Sequence, residues 1–518
     1  MTAYQPYASS TRWTWLPATA LIGVFLVVPL VVIVSQSLTT SGFIDALTSP
    51  SMQGVWWFTS WQAVVSAVAT FAVALPATWI VSRYAFAGRR VLIALMTVPF
   101  LLPTVVVGAA FLALLPDSLH YTAAAIIFAH AYFNIAVVVR VVGARWEQLD
   151  PQLGDAARTL GASPLAAART VTLPLLRSAA TSAFGIIFLF CFSSYGIVRI
   201  LGGPAVSTVE TEIYVRAVVF GDMDGAVALS MLQMIVLIAL IAMWGTRRDR
   251  TPAVTPATHL RRATSPRACR TIRLVAGAMV VITCAPMVAV VLRSVWVRGH
   301  FSSAGWAALT TSDTALAVFT SLAYAVVAAV ITIVVAISAT VASTYDSKRM
   351  ALVATLTSLP LTISAVTIGL GMLIAFDTPP FAFRSSWFIT PIAHALVAVP
   401  LALRTVMPVA RDIPPTLAHA AATLGARPLA SWLTIDWPLL KRATASAGAL
   451  AFAVSIGEFG ATSFLTRRAS ETTPIQISRL LGRPGDTNQL TAYMLATLLI
   501  AVCVAVVLII DRDRMVKQ

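Results

Sequence analysis

The chain has 518 residues, of which 58% are hydrophobic and only 11% charged, and its mean hydropathy is +0.85. A water-soluble protein of this length could not bury so much apolar side chain, because its surface would need far more charge. The net charge of +16 would suit nucleic acid, but the cations cluster in short loops between apolar runs, as membrane topology requires, so no nucleic-acid partner is expected.

Apolar runs of about 18 residues or more, long enough to cross a bilayer, recur along the chain. Backbone groups inside lipid must be paired within their own segment, so the spans are predicted to be helices. The runs are continuous and lack the alternation of a membrane β-barrel. The predicted fold is an all-α polytopic membrane protein with twelve spans. Six lie near 15–37, 58–82, 91–115, 122–144, 178–201 and 226–245. Six more lie near 274–295, 316–343, 351–376, 388–407, 443–465 and 488–510. The first run is too long for a signal peptide and is followed by no small-residue cleavage site, so it reads as a retained span.

The chain repeats itself. Phe58-Thr59-Ser60 matches Phe319-Thr320-Ser321, Pro99 and Gly108 match Pro360 and Gly369, and Ala129-His130-Ala131 matches Ala393-His394-Ala395. The predicted organisation is a first repeat over 1–245, an Arg-rich linker over 246–272, expected to be a mobile cytoplasmic connector, and a second repeat over 273–518. Each repeat has an even number of spans, so the halves should be parallel and related by an axis along the membrane normal. The Arg-bearing loops fall on one side if both termini are cytoplasmic, apart from Arg467, Arg468, Arg479 and Arg483. Four cysteines show no paired or His-flanked spacing, so neither disulfides nor a bound metal is expected.

One polar-interrupted stretch occurs in both repeats. Asp155 to Leu176 and His419 to Leu440 agree at thirteen of 22 positions. Pro151 and Pro415 suit the first turn of a helix. Gly161 and Gly425 then suit a left-handed cap, and Pro164 and Pro428 can open a second short helix. Pro174 and Pro438 are expected to end that helix before the next span. Each copy is therefore predicted to be a helix–Gly–helix hairpin, in loops 145–177 and 408–442. A single copy could be read as an interfacial amphipathic helix. Two copies at equivalent places argue for a shared docking role.

This pattern resembles the EAA loop of ABC-importer permeases, whose signature is Glu-Ala-Ala, then Gly, then Ile and Leu-Pro. The first copy supplies Asp155, Ala156, Ala157, Gly161, Val171, Leu173 and Pro174. The second supplies His419, Ala420, Ala421, Gly425, Ile435, Trp437 and Pro438. The resemblance implies a type I importer permease with one ATPase-docking hairpin per half. Asp155 is a conservative departure and His419 is not. "FAHAYFNIAVVVRVV" and "FAVSIGEFGATSFL" are most similar to the fused, two-half permeases for thiamine; ferric-iron permeases share the layout, and sulfate-type permeases also carry Gly-Glu-Phe-Gly. Phosphonate and polyamine permeases remain within the same class.

The resemblance implies two copies of a separate ATPase, which would carry the ATP and magnesium, and an extracytoplasmic substrate-binding protein. The setting implied is the bacterial cytoplasmic membrane and its lipid. No phosphate-cradling Gly-x-x-x-x-Gly-Lys-Ser/Thr occurs in the chain, so no cofactor is expected on it. The substrate pathway is expected between equivalent helices of the two halves. Spans five and eleven have the most polar interiors, where Ser194, Tyr195 and Gly196 align with Glu458, Phe459 and Gly460. An intramembrane Glu is a functional residue by default. Glu458 either holds a cation, helped by Tyr195 and Phe459, or bonds a neighbouring helix for gating or assembly. His130, Asn134 and His394 are expected to form interhelical hydrogen bonds. An ion-coupled secondary transporter would need several buried carboxylates, and Glu458 is nearly alone. No nucleophile–base set or metal cluster suggests an enzyme.

Overall fold

A computed structural model describes residues 15–37, 42–203, 206–245, 260–345, 357, 359–377, 379, 382–467 and 470–515. Among these, ten helices are long and apolar enough to span a membrane, or eleven if one bent pair is a single span. The bent pair, Arg89–Leu101 and Thr104–Leu114, turns through 105°. Its cause is local: Pro103 forces the preceding Leu102 out of helical geometry, to ψ 143. The ninth expected span, 351–376, is represented by the short helix Ala365–Ala375, and most of its first half lies outside the described residues.

The helices form two compact units, and these units are not the sequence repeats. One comprises Met1–Leu47, Ile213–Ile235 and Phe301–Gln518; the other comprises Thr48–Glu212 and Val236–His300. Each repeat therefore lends its first span to the unit built mainly from the other repeat. In the first unit Leu21, Ile22 and Leu26 share a core with Ile368, Met372, Phe376 and Leu396. In the second, Ile272 and Met279 share a core with Met96, Ile135, Ile187 and Phe188. Sequence repetition identifies the duplicated segment, whereas packing follows whichever apolar face a helix meets.

The repeated Phe-Thr-Ser motif has a physical role in both units. The Thr59 hydroxyl accepts the backbone N–H of Val209 at 3.1 Å, and the Ser321 hydroxyl accepts that of Thr473 at 2.7 Å. Val209 and Thr473 each open a helix, Val209–Tyr214 and Thr473–Leu481, whose first N–H groups have no intrahelical partner. A hydroxyl on the long second helix of the repeat satisfies one of them in each unit.

Candidate functional site

Both predicted hairpins form, with the same backbone. Pro151–Thr159 leads through Gly161 to Pro164–Ala167, and Pro415–Thr423 leads through Gly425 to Pro428–Ser431. Gly161 has φ +90° and Gly425 φ +80°. Ala162 N donates to Ala157 O and Gly161 N to Arg158 O, both at 3.0 Å. Ala426 N to Ala421 O and Gly425 N to Ala422 O repeat the pattern, also at 3.0 Å. This is a Schellman cap, in which a left-handed residue lets two N–H groups close over the last carbonyls. Glycine is required by its φ and not by crowding, since a Cβ at either position would meet open space. Leu160 and Leu424, immediately before the glycines, are 89% and 87% exposed, so each hairpin tip presents an uncovered apolar side chain.

Pro174 and Pro438 do not end the second helix. Each sits in the first turn of the following span, Leu173–Phe192 or Trp437–Ile456, directly after a π-helical turn, Ala168–Thr172 or Trp432–Asp436. Proline lacks an N–H and clashes with the carbonyl four residues back. The wider π turn absorbs that misfit, so the helix continues unbroken from hairpin to span.

The hairpins differ in their anchoring. In the first, Asp150 accepts from Gln152 N at 2.9 Å and Ser163 accepts from Ala166 N at 3.2 Å. In the second, Pro414 takes the first capping position and provides no side-chain acceptor. Asp155 is ion-paired with Arg261, and the strand Arg261–Arg262 pairs in parallel with Tyr84–Ala85. Arg89, beside that strand pair in sequence, is ion-paired with Glu147 at the end of the fourth span. The part of the linker from 260 onward thus pairs beside the first hairpin, and 246–259 lie outside the described residues. His419 is at the position of Asp155 in the second copy.

The residues expected to line the pathway lie where helices break, not within continuous spans. Leu173–Phe192 ends before Ser193, Ser194 and Tyr195, and a short helix Gly196–Leu201 follows. Trp437–Ile456 ends before Gly457, Glu458, Phe459 and Gly460, and Thr462–Leu465 follows. Non-helical backbone at membrane depth persists only where protein buries it. Accordingly Ser194, Tyr195, Gly196, Glu458 and Phe459 are buried and Gly460 is half-buried.

Small residues seat the short helices. A Cβ at Gly196 would lie 2.1 Å from Thr104 Oγ1, and one at Gly108 would lie 2.7 Å from Ile200 Cβ. A Cβ at Gly369 would lie 2.7 Å from the Ala461 backbone, and one at Gly460 would lie 3.1 Å from Ala365 Cβ. In each unit the helix after the break therefore lies against a helix that begins just past a Pro or Ser-led turn, with backbones in close approach.

Glu458 is fully engaged. Its carboxylate accepts Ala461 N at 2.8 Å, Thr462 N at 2.9 Å and the Thr462 hydroxyl. His394 Nε2 lies 3.4 Å from the same carboxylate and 2.8 Å from Thr462 Oγ1, while its Nδ1 lies 2.8 Å from Ser455 Oγ. A ring carrying its proton on Nε2 satisfies both contacts, with the Ser455 hydroxyl donating to Nδ1. In the other unit His130 Nδ1 lies 3.3 Å from Ser66 Oγ, and Nε2 has no hydrogen-bond partner among the described residues. The aligned positions there are Cys191, Ser194 and Val198 in place of Ser455, Glu458 and Thr462. Both histidines bond across helices, as expected. Thr462, Ser455 and Thr104 are not evident from sequence, because a lone Ser or Thr in an apolar run carries no periodic signal. Nor is Glu210, a completely buried carboxylate in the helix that Thr59 caps.

No family model matches the chain. It is 29% identical over 480 residues to the thiamine transport system permease protein ThiP of Brucella suis, covering 88% of this chain and 86% of that one. The protein of the same name from Escherichia coli is 25% identical over 481 residues, covering 86% and 87%. The sulfate transport system permease protein CysT of Salmonella typhimurium is 30% identical over 234 residues, covering 42% of this chain and 84% of that one. A single-length permease thus matches less than half of the chain, while double-length permeases match nearly all of it. With its duplicated hairpin and ten or more apolar helices, the chain belongs to the fused, two-half permeases of ABC importers, multi-pass proteins of the inner membrane.

Proposed function

We propose that the chain forms the translocation pathway of an ATP-driven thiamine importer. The observation that carries this reading is likeness to thiamine permeases over 86–88% of this chain and of theirs. The sulfate permease match supports a second reading, an oxyanion importer, over 42% of the chain.

In the mechanism we infer, a separate ATPase subunit docks on each hairpin, around Asp155, Ala156, Ala157, Gly161 and Pro174 in the first and His419, Ala420, Ala421, Gly425 and Pro438 in the second. ATP and magnesium are bound on those two ATPase copies. Closure of the ATPase pair around ATP moves the hairpins. Because each hairpin runs without a break into a span, the motion reaches the helix breaks as rigid-body displacement. An extracytoplasmic binding protein delivers the substrate, and both termini face the cytoplasm. Glu458 holds the break in shape, since its acceptor positions are taken by Ala461, Thr462 and His394. Ser194, Tyr195, Gly196, Phe459 and Gly460 then contribute the surface that substrate passes.

The test is uptake into proteoliposomes containing this chain, its ATPase and its binding protein. ATP-dependent accumulation of thiamine, and not of sulfate, is expected. Uptake driven by a proton gradient without the ATPase would overturn the transport class. ATP-driven sulfate uptake with no thiamine uptake would replace the substrate.

A further inference from the structure

The hairpin end of the unit built around Thr48–Glu212 carries a groove that shares only Pro174 with the proposed docking surface. The groove, of about 590 Å³, runs between the second span and the helix that leaves the first hairpin. Val68, Phe71, Leu173 and Phe184 line it, and Arg169 and Arg177 stand at its hairpin end. Val68 is 56% and Leu173 61% exposed, although Val68 lies in the middle of the apolar helix Pro50–Arg83. At about 1.5 Å per residue, Val68 is roughly 22 Å from the end of that helix at Arg83, a depth that a water-soluble partner does not reach. Neither arginine is ion-paired with an acid among the described residues, and no acid lines the groove. The π turn Ala168–Thr172, which contains Arg169 and runs directly into Leu173, lies at the groove's charged end.

We propose that this groove binds one anionic glycerophospholipid. Its phosphate lies between the Arg169 and Arg177 guanidiniums, and an acyl chain runs along Val68, Phe71, Leu173 and Phe184. An apolar trough with a cationic mouth complements a molecule that joins an anionic headgroup to an acyl chain. The aligned positions in the second copy are Leu433 and Lys441, so the site is confined to the first. The lipid would sit beside the joint between hairpin and span.

The test uses the purified full-length chain in nanodiscs of mixed phosphatidylglycerol and phosphatidylcholine. Native mass spectrometry should show one phosphatidylglycerol retained in preference to phosphatidylcholine. A photoreactive phosphatidylglycerol should label segments 68–71 and 173–184. Each guanidinium near a membrane surface contributes about fivefold, so R169Q with R177Q should lower retention roughly thirtyfold. R169K with R177K keeps the charge and should keep most of the retention; if the neutral double variant does not fold, the two single variants should each show about a fivefold loss. Labelling elsewhere in the chain, or unchanged retention in the neutral variants, overturns the proposal. So does loss of ATPase association in these variants with lipid retention unchanged, which would assign the arginines to the ATPase.

Discussion

The two copies of the repeat are alike in backbone and opposite in where their polar side chains do the holding. The first hairpin has two side-chain caps and an ion pair to the linker strand, whereas the helix break that follows it has Ser194 where the other copy has a carboxylate. The second hairpin has neither the first cap nor the acid, but its helix break is tied by Glu458, Thr462, His394 and Ser455. Duplication therefore preserved what backbone geometry demands: the positive φ at Gly161 and Gly425, the π turn before each Pro, and the close approaches at Gly108 and Gly369. Side-chain anchors were free to diverge because each stabilises one local feature without altering the path of the chain.

The sharpest way to break this comparison is at the carboxylate. Glu458→Ala leaves two backbone N–H groups and a Thr hydroxyl without their acceptor in a buried site, and removes the carboxylate beside His394. A loss of about 3 kcal/mol is expected in denaturant unfolding of the detergent-solubilised chain, with loss of transport. Ser194→Ala at the aligned position should cost well under 1 kcal/mol by the same measurement. Equal effects at the two positions would show that the breaks are not differently tied. Next in size is Gly369→Ala, whose Cβ would meet backbone 2.7 Å away at Ala461. Backbone cannot swing aside as a side chain can, so about 2 kcal/mol of destabilisation is expected in the same unfolding assay. The hairpins should respond to each other's substitutions alike: Gly161→Val and Gly425→Val each impose about 1–3 kcal/mol of strain at positive φ. Each is expected to reduce ATPase co-purification by tenfold or more while membrane insertion is unchanged. An effect at Gly161 alone would mean that the second hairpin is not a docking site.

How far these features were legible depended on whether they leave a pattern in sequence. The spans, the repeat and the hairpins were readable, because apolar length, fixed offsets and Pro–Gly punctuation all derive from backbone constraints. The π turns were not, since a proline after a short helix reads as a stop unless tertiary packing keeps the helix going. Nor was the exchange of first spans between units, because an apolar helix has no local mark of which neighbour it will meet. Glu458 could be singled out by its cost at membrane depth, but its partners Ser455 and Thr462 could not. The linker's Arg-, Thr- and Pro-rich composition predicts a mobile connector. Two of its residues nevertheless add a strand to Tyr84–Ala85, an association fixed by backbone hydrogen bonds that composition does not record.

The smallest expected effect tests the first hairpin's tie to the linker. Asp155 and Arg261 are each about half exposed, so solvent screening limits their ion pair to roughly 0.2–1 kcal/mol. A double-mutant cycle of D155N and R261Q should return a coupling energy in that range, and the coupling should shrink as salt rises. Its consequence is local. In either variant the linker just before Pro266 should become more susceptible to protease, while the unfolding midpoint hardly moves. His419→Asp introduces the acid into the second hairpin, beside which no strand pair lies among the described residues, and should change neither readout. If H419D alone restored a comparable protection elsewhere, the acid itself would be what matters. If D155N had no effect on linker cleavage, the strand pairing with Tyr84 would hold the linker without it, and the asymmetry between the hairpins would reduce to their caps.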